Sequence, residues 1–186
     1  VSGLVWAKSR DNTGATLPHQ IVDSSRGIGN RLIPNDSAVE AFNSNHLTKF
    51  LKGGYATGDI NVLNTAGDSM VAWNWVANSG TTSNNTDGSI NSTVQANTTA
   101  GFSIVQYTGN ATAGATVGHG LSQAPEFIVT KRLDSANSWH GYHSGQGATK
   151  YFLLDSSTSF GTSALTWNNT APDATTFTLG SGNTNN

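Results

Sequence analysis

Residues 126–132 read EFIVTKR, and residues 3–10 read GLVWAKSR. Each is a short apolar run that ends in a lysine. Each then enters an Asp-containing turn, RLDSAN in the first case and SRDNTG in the second. Apolar runs of this length, bounded by turn residues, read as β-strands rather than helices. The question they pose is whether one strand-and-turn unit is written twice.

The residues that follow answer yes. Lys8 falls on Lys131 and Asp11 on Asp134, and 19-HQIVDSSRG-27 then matches 139-WHGYHSGQG-147. Arg31 and Leu32 fall near Lys150 and Tyr151, and 35-NDS-37 matches 155-DSS-157. Further on, 42-FNSN-45 matches 167-WNNT-170, and 50-FLKGG-54 resembles 177-FTLGS-181. Any one match is weak in so simple a composition, but the collinear order predicts an internal duplication. The expected organisation is a first half-repeat over 1–77, a polar connecting segment over 78–101 and a second half-repeat over 102–186. The first half ends on 70-MVAWNWVA-77, for which the second half has no counterpart before Asn186. The chain therefore reads as a window on a tandem array open at both ends, with closure of both halves into one sandwich as the alternative.

Composition points to the same fold class. There are 21 Gly, 21 Ser, 24 Thr and 20 Asn, residues that disfavour helix interiors and favour turns and strands. Further strands are expected at Gln20–Val22, 70-MVAWNWVA-77, 102-FSIVQYTG-109, Tyr151–Leu154, Leu165–Trp167 and 176-TFTLG-180. In the second of these Trp73 and Trp75 look like core, while Phe127–Val129 looks like a central strand. Ser37–Phe42, with a cap at Asp36 or Ser37 and Glu40 following, offers a weak helical alternative. The segment 78–101 reads as extended surface chain, with an exposed edge strand at Ile90–Val94 as the other option. The class predicted is all-β, an antiparallel sandwich or barrel.

Charge excludes some functions. Nine basic against eleven acidic side chains give a net charge of −2 without a like-charged block, unlike a nucleic-acid footprint. No apolar stretch approaches the 18 residues of a membrane-spanning helix, and there is no cysteine for a disulfide or thiolate site. Acidic residues sit singly in turns, with neither a carboxylate pair nor a hydrolase motif. The expected chain is not an enzyme and carries no cofactor or metal.

The densest chemistry is the cluster Trp139, His140, Tyr142 and His143. On a strand, Trp139, Gly141 and His143 share one face, and His140 and Tyr142 the other. Opposed histidines without a third ligand make a poor metal site. Aromatic rings beside turn residues suit stacking on sugars, so these four are the candidate glycan-binding residues. His119, between Gly118 and Gly120, is expected to pin a turn through its ring nitrogens.

Several segments resemble a known family. The stretch 86-TDGSINSTVQANTTAGFSIVQYTGNATAGATVGHGLSQAPEFIVTKR-132, with 67-GDSMVAWNW-75 and 166-TWNNTAPDATTFTLG-180, is similar to the tandem LamG-like or concanavalin-A-like domains of marine phage tail-fibre and virion proteins. The resemblance implies a jelly-roll-like sandwich and a structural or host-recognition role on a virus particle or in an extracellular fibre. Its expected partners are further copies of itself and host-surface glycans, without nucleic acid and without membrane insertion. It brings no catalytic residue with it.

Overall fold

Short runs of β-branched and aromatic residues, interrupted by Gly, Asn and Asp clusters, fold into an almost entirely β protein. The structure, a computed structural model, describes residues 2–11, 17–78, 81–182 and 185–186. In order come β1 (Gly3–Ser9), β2 (Gln20–Asp23), β3 (Asn30–Arg31), β4 (Ala41–Phe42), β5 (Leu47–Leu51), β6 (Gly54–Thr57), the one-turn helix α1 (Asn61–Asn64) and β7 (Met70–Val76). Then follow β8 (Ser83–Asn85), β9 (Ser92–Asn97), β10 (Phe102–Tyr107), β11 (Thr116–Gly118), β12 (Phe127–Thr130), β13 (His140–His143), β14 (Lys150–Leu153), β15 (Gly161–Thr162), the one-turn helix α2 (Ala164–Trp167) and β16 (Thr176–Thr178). The sheets are antiparallel, and the fold is an all-β sandwich.

Two four-strand units within it share one register. In β1, Ala7, Trp6, Val5 and Leu4 face Gln20, Ile21, Val22 and Asp23 of β2. In β12, Thr130, Val129, Ile128 and Phe127 face His140, Gly141, Tyr142 and His143 of β13 in the same order. Ile21 bridges Leu32 as Gly141 pairs with Phe152. Asn30 and Arg31 pair with Phe42 and Ala41 as Lys150 and Tyr151 pair with Thr162 and Gly161. Lys131 thus stands 123 positions after Lys8, and every later equivalence holds at 120. The turns agree as well. The N–H of Asn30 donates to Gly27 at 3.3 Å, and that of Lys150 to Gly147 at 3.2 Å. Both glycines have positive φ, +97° and +74°, where a Cβ is strained. The N–H of His19 donates to Asn35 Oδ1 and that of Trp139 to Asp155 Oδ1, each at 3.1 Å.

The register corrects two sequence matches. Phe42 occupies the place of Thr162, not Trp167, and Phe50 lies in the β5–β6 hairpin, which has no counterpart in the second unit. Beyond Asn43 and Ser163, which bond Gly29 and Thr149 in the same way, the halves diverge.

Side-chain volume is exchanged between the units rather than kept in place. Ile21 and Leu32 of one become Gly141 and Phe152 of the other, and a Cβ on Gly141 would lie 2.0 Å from Phe152 Cζ. The phenyl ring fills the space that the missing side chain leaves, as close packing requires.

Alternation along β1 and β12 builds three apolar layers. Val5, Ala7 and Val22 point outward into a cluster with Leu47 and Leu63, covered by the β5–β6 hairpin and α1. Leu4, Trp6, Ile21 and Leu32 point inward and meet Val129, Leu133, Trp139 and Leu154 of the second unit. On the far side, Ile128, Tyr142 and Tyr151 pack under Val105, Tyr107, Val117, Trp167 and Phe177. The two units therefore lie face to face, each capped on its outer side.

Several local expectations change. Leu165–Trp167 is the end of α2, capped by the Ser163 side chain at its start and by Asn168 in the left-handed region at its end. Ser37–Phe42 is not helical, and its last residues form β4. The segment 78–101 contributes β8 and β9, with Ser92, Val94 and Gln95 buried, so it is part of the sandwich. Phe127–Val129 is a terminal strand rather than a central one. Trp73 and Trp75, which pair with Trp6 and Leu4 and share their face, are 46% and 39% exposed rather than core.

Candidate functional site

β12 ends its sheet on one side, and β10 ends another sheet; each has a single strand partner, β13 and β9 respectively, among the described residues. Between them runs a cavity of about 1000 Å³. Every residue from Gly101 to Gly109 and from Leu121 to Asp134 borders it, and Leu4, Trp6, Ile21 and Leu32 of the facing unit form its floor. Consecutive residues of a strand share one border only when the cavity runs along the strand's edge, since alternate side chains point to opposite faces.

The backbone of β12 faces this space with groups that no described strand pairs. The N–H of Ser144 donates to the Glu126 carbonyl at 2.8 Å. By antiparallel alternation Ile128 and Thr130 then turn their N–H and C=O groups toward β13, and Phe127, Val129 and Lys131 turn theirs into the cavity. In the first unit the N–H of Ser24 donates to the Gly3 carbonyl at 2.9 Å, setting the same phase. There the equivalent residues Leu4, Trp6 and Lys8 are paired with Trp75, Trp73 and Val71 of β7. Among the described residues the second unit has the same strand edge without a strand beside it.

The surroundings are held by fixed polar contacts. Arg26 bonds Asp23 at 2.5 Å and Glu40 at 2.7 Å, with both the Arg26 and Asp23 side chains buried. In the second unit the three positions are Gln146, His143 and Phe160, and an aromatic row of Phe127, Phe152 and Phe160 stands in place of the ion pairs. Trp75 stacks on Phe102 at 6.2 Å across the two sheets, fixing one border of the cavity. His119 lies at another border; its Nδ1 accepts from the Leu121 N–H at 3.1 Å and its Nε2 donates to the Asp173 carbonyl at 3.2 Å. Burial pushes its pKa down, so the neutral ring keeps both bonds at neutral pH.

The four residues expected to bind glycan lie together on β13 or at its start, on alternate faces as the sequence implies, but three are covered. Trp139 is 5% exposed, and its Nε1 donates to the Ile33 and Asp36 carbonyls of the other unit, each at 3.1 Å. Tyr142 is buried edge-on against Trp167, and burial raises its pKa. His140 is buried against Tyr151 and bonds the Ser138 carbonyl through Nδ1; burial lowers its pKa. Only His143 is exposed, and its Nδ1 accepts from the Gly145 N–H at 3.0 Å. Trp139, His140 and Tyr142 are thus packed in the core, and of the four only His143 is open to solvent. Among the described residues no three of His, Asp and Glu gather as a metal site would require. None of the described helices is long and apolar enough to cross a membrane.

Sequence reasoning missed the cavity itself. Its signal was present in one respect: β7 has a counterpart position beside β12, and no described strand occupies it.

No curated protein and no solved structure matches the chain. The model of one family matches residues 2–186. The chain belongs to that family, a domain of unknown function designated DUF7483.

Proposed function

We propose that the chain is a non-enzymatic structural protein that assembles through strand addition. The observation that carries this reading is the open edge of β12 beside an apolar cavity. Unpaired sheet edges recruit strands from other chains, and natural proteins otherwise protect them with charge, proline or a bulge. Phe127, Ile128 and Val129 carry none of these protections, and the charge of Lys131 stands only at the end of the edge. The shared register of the two four-strand units supports a repeated building block. Placement on a virus particle or in an extracellular fibre rests on the resemblance of 86–132 and its companion segments to phage virion domains. Light scattering across a wide concentration range is expected to show reversible self-association, and a strict monomer throughout would refute the reading.

Host-glycan recognition is the second reading, and the observation favouring it is the exposure of Trp73 and Trp75 on β7. Glycan-array binding that disappears in Trp73→Ala with the fold intact would support it. Absence of binding to every glycan would end it.

A further inference from the structure

The cavity has the volume of one short strand. Strands lie about 4.8 Å apart within a sheet, sheets about 10 Å apart, and a strand residue advances about 3.3 Å, so each residue takes about 160 Å³. About 1000 Å³ therefore holds roughly six residues. The matching position in the first unit is filled by β7, whose seven residues pair with β1 from Gly3 to Ser9.

Resting on the reading above, we propose that the cavity receives the β7 strand of a second copy of this chain, antiparallel to β12. Unit equivalence fixes the register: Trp75 against Phe127, Asn74 against Ile128, Trp73 against Val129 and Val71 against Lys131. The strand is suited to the exchange. MVAWNWV carries no charge, and its alternate apolar side chains meet the apolar floor of Leu4, Trp6 and Ile21. In its resting place β7 has one ladder, with β1, and Trp73, Trp75 and Val76 are exposed. In the cavity it has two edges to pair with, β12 and β10. Exchange thus gives up one ladder, with β1, and forms two, so each chain ends with two unpaired edges fewer. Movement of β7 from one copy to the next is heterologous and propagates as a linear array, whereas reciprocal exchange closes a dimer.

The chain has no cysteine, which permits a direct test. Asn74→Cys and Ile128→Cys variants of the full chain are co-refolded and oxidised, then compared on a non-reducing gel. Residues 74 and 128 form a non-hydrogen-bonded pair in the proposed register, the closer of the two antiparallel spacings. The expected result is at least tenfold more disulfide-linked dimer from the mixture than from either variant alone. Val5→Cys with Asn74→Cys in one chain reports the resting β1–β7 pairing, and its intramolecular bond should decline as the concentration of chain rises. Self-association without the 74–128 cross-link overturns the choice of β7 and leaves the assembly reading standing. An intramolecular 74–128 bond in the doubly substituted chain overturns the second copy as donor. A strictly monomeric wild-type chain overturns both.

Discussion

Trp139 joins the two units through its ring and its Nε1, and its removal separates the structural reading from a ligand-binding one. The ring is 5% exposed among Ile21, Leu32, Leu133 and Leu154. Its Nε1 is shared by two carbonyls of the opposite unit. Trp139→Ala removes that apolar surface and leaves a cavity at the centre of the inter-unit layer, a change that costs about 3–5 kcal/mol. Trp139→Phe keeps most of the apolar contact and loses the shared N–H, costing about 1–2 kcal/mol. At about 2–4 °C per kcal/mol for a chain of this size, Tm should fall by roughly 6–20 °C for the alanine variant. Trp73→Ala, at a ring 46% exposed, should cost no more than about 1.5 kcal/mol, given its half-buried area. Denaturant unfolding followed by circular dichroism measures all three without relying on the tryptophan signal. A Trp139→Ala variant no less stable than Trp73→Ala would refute the account of how the units pack.

Gly141→Ile alone should destabilise strongly, because its Cβ falls on the Phe152 ring. Adding Phe152→Leu recreates the Ile21–Leu32 pair of the first unit and should recover most of the loss in a double-mutant cycle. Removing Arg26 as Arg26→Met leaves the buried Asp23 carboxylate without its partner and should cost about 3–5 kcal/mol, read as a lower denaturant midpoint. Acid should also weaken the fold through His46, which is fully buried against Gln20 and whose pKa burial pushes down to about 4. The unfolded chain protonates this group near pH 6.5 and the folded chain does not, so its stabilisation is complete above pH 6.5 and declines as pH falls toward 4. The slope is about 1.4 kcal/mol per pH unit across that window, and Tm of His46→Gln should vary less with pH than that of the wild type.

Local pattern made β1, β2, β10, β12 and β14 readable, because each is a run of β-formers between turn residues. The collinear matches fell on the two four-strand units that share a register, and the side-chain contents of the Asn35 and Asp155 turns were part of that signal. What local pattern could not supply was the environment of each face. Trp139 stands beside turn residues, which suggests exposure, yet its side chain points into the other unit. Trp73 alternates as a core residue should, yet its ring is 46% exposed. Leu165-Thr166-Trp167 has strand composition, but the Ser163 cap and the left-handed Asn168 close it into a helical turn. β9 was obscured by its polarity: Ser92 and Gln95 are buried because they bond the Gly118 carbonyl and the Ser24 hydroxyl, which composition does not reveal. The cavity was unreadable for a plainer reason, since a sequence spells out strands and not the space between them.

The open edge of β12 is tested most directly by a proline placed where only the outward N–H is lost. Val129 points its N–H into the cavity, so Val129→Pro removes a donor that β13 does not use, and proline is tolerated at such edge positions. Sedimentation velocity over a hundredfold range of concentration should show the wild-type chain associating and Val129→Pro remaining a monomer, with both giving the same circular dichroism spectrum. Association of a folded Val129→Pro variant as tight as that of the wild type would contradict assembly through this edge.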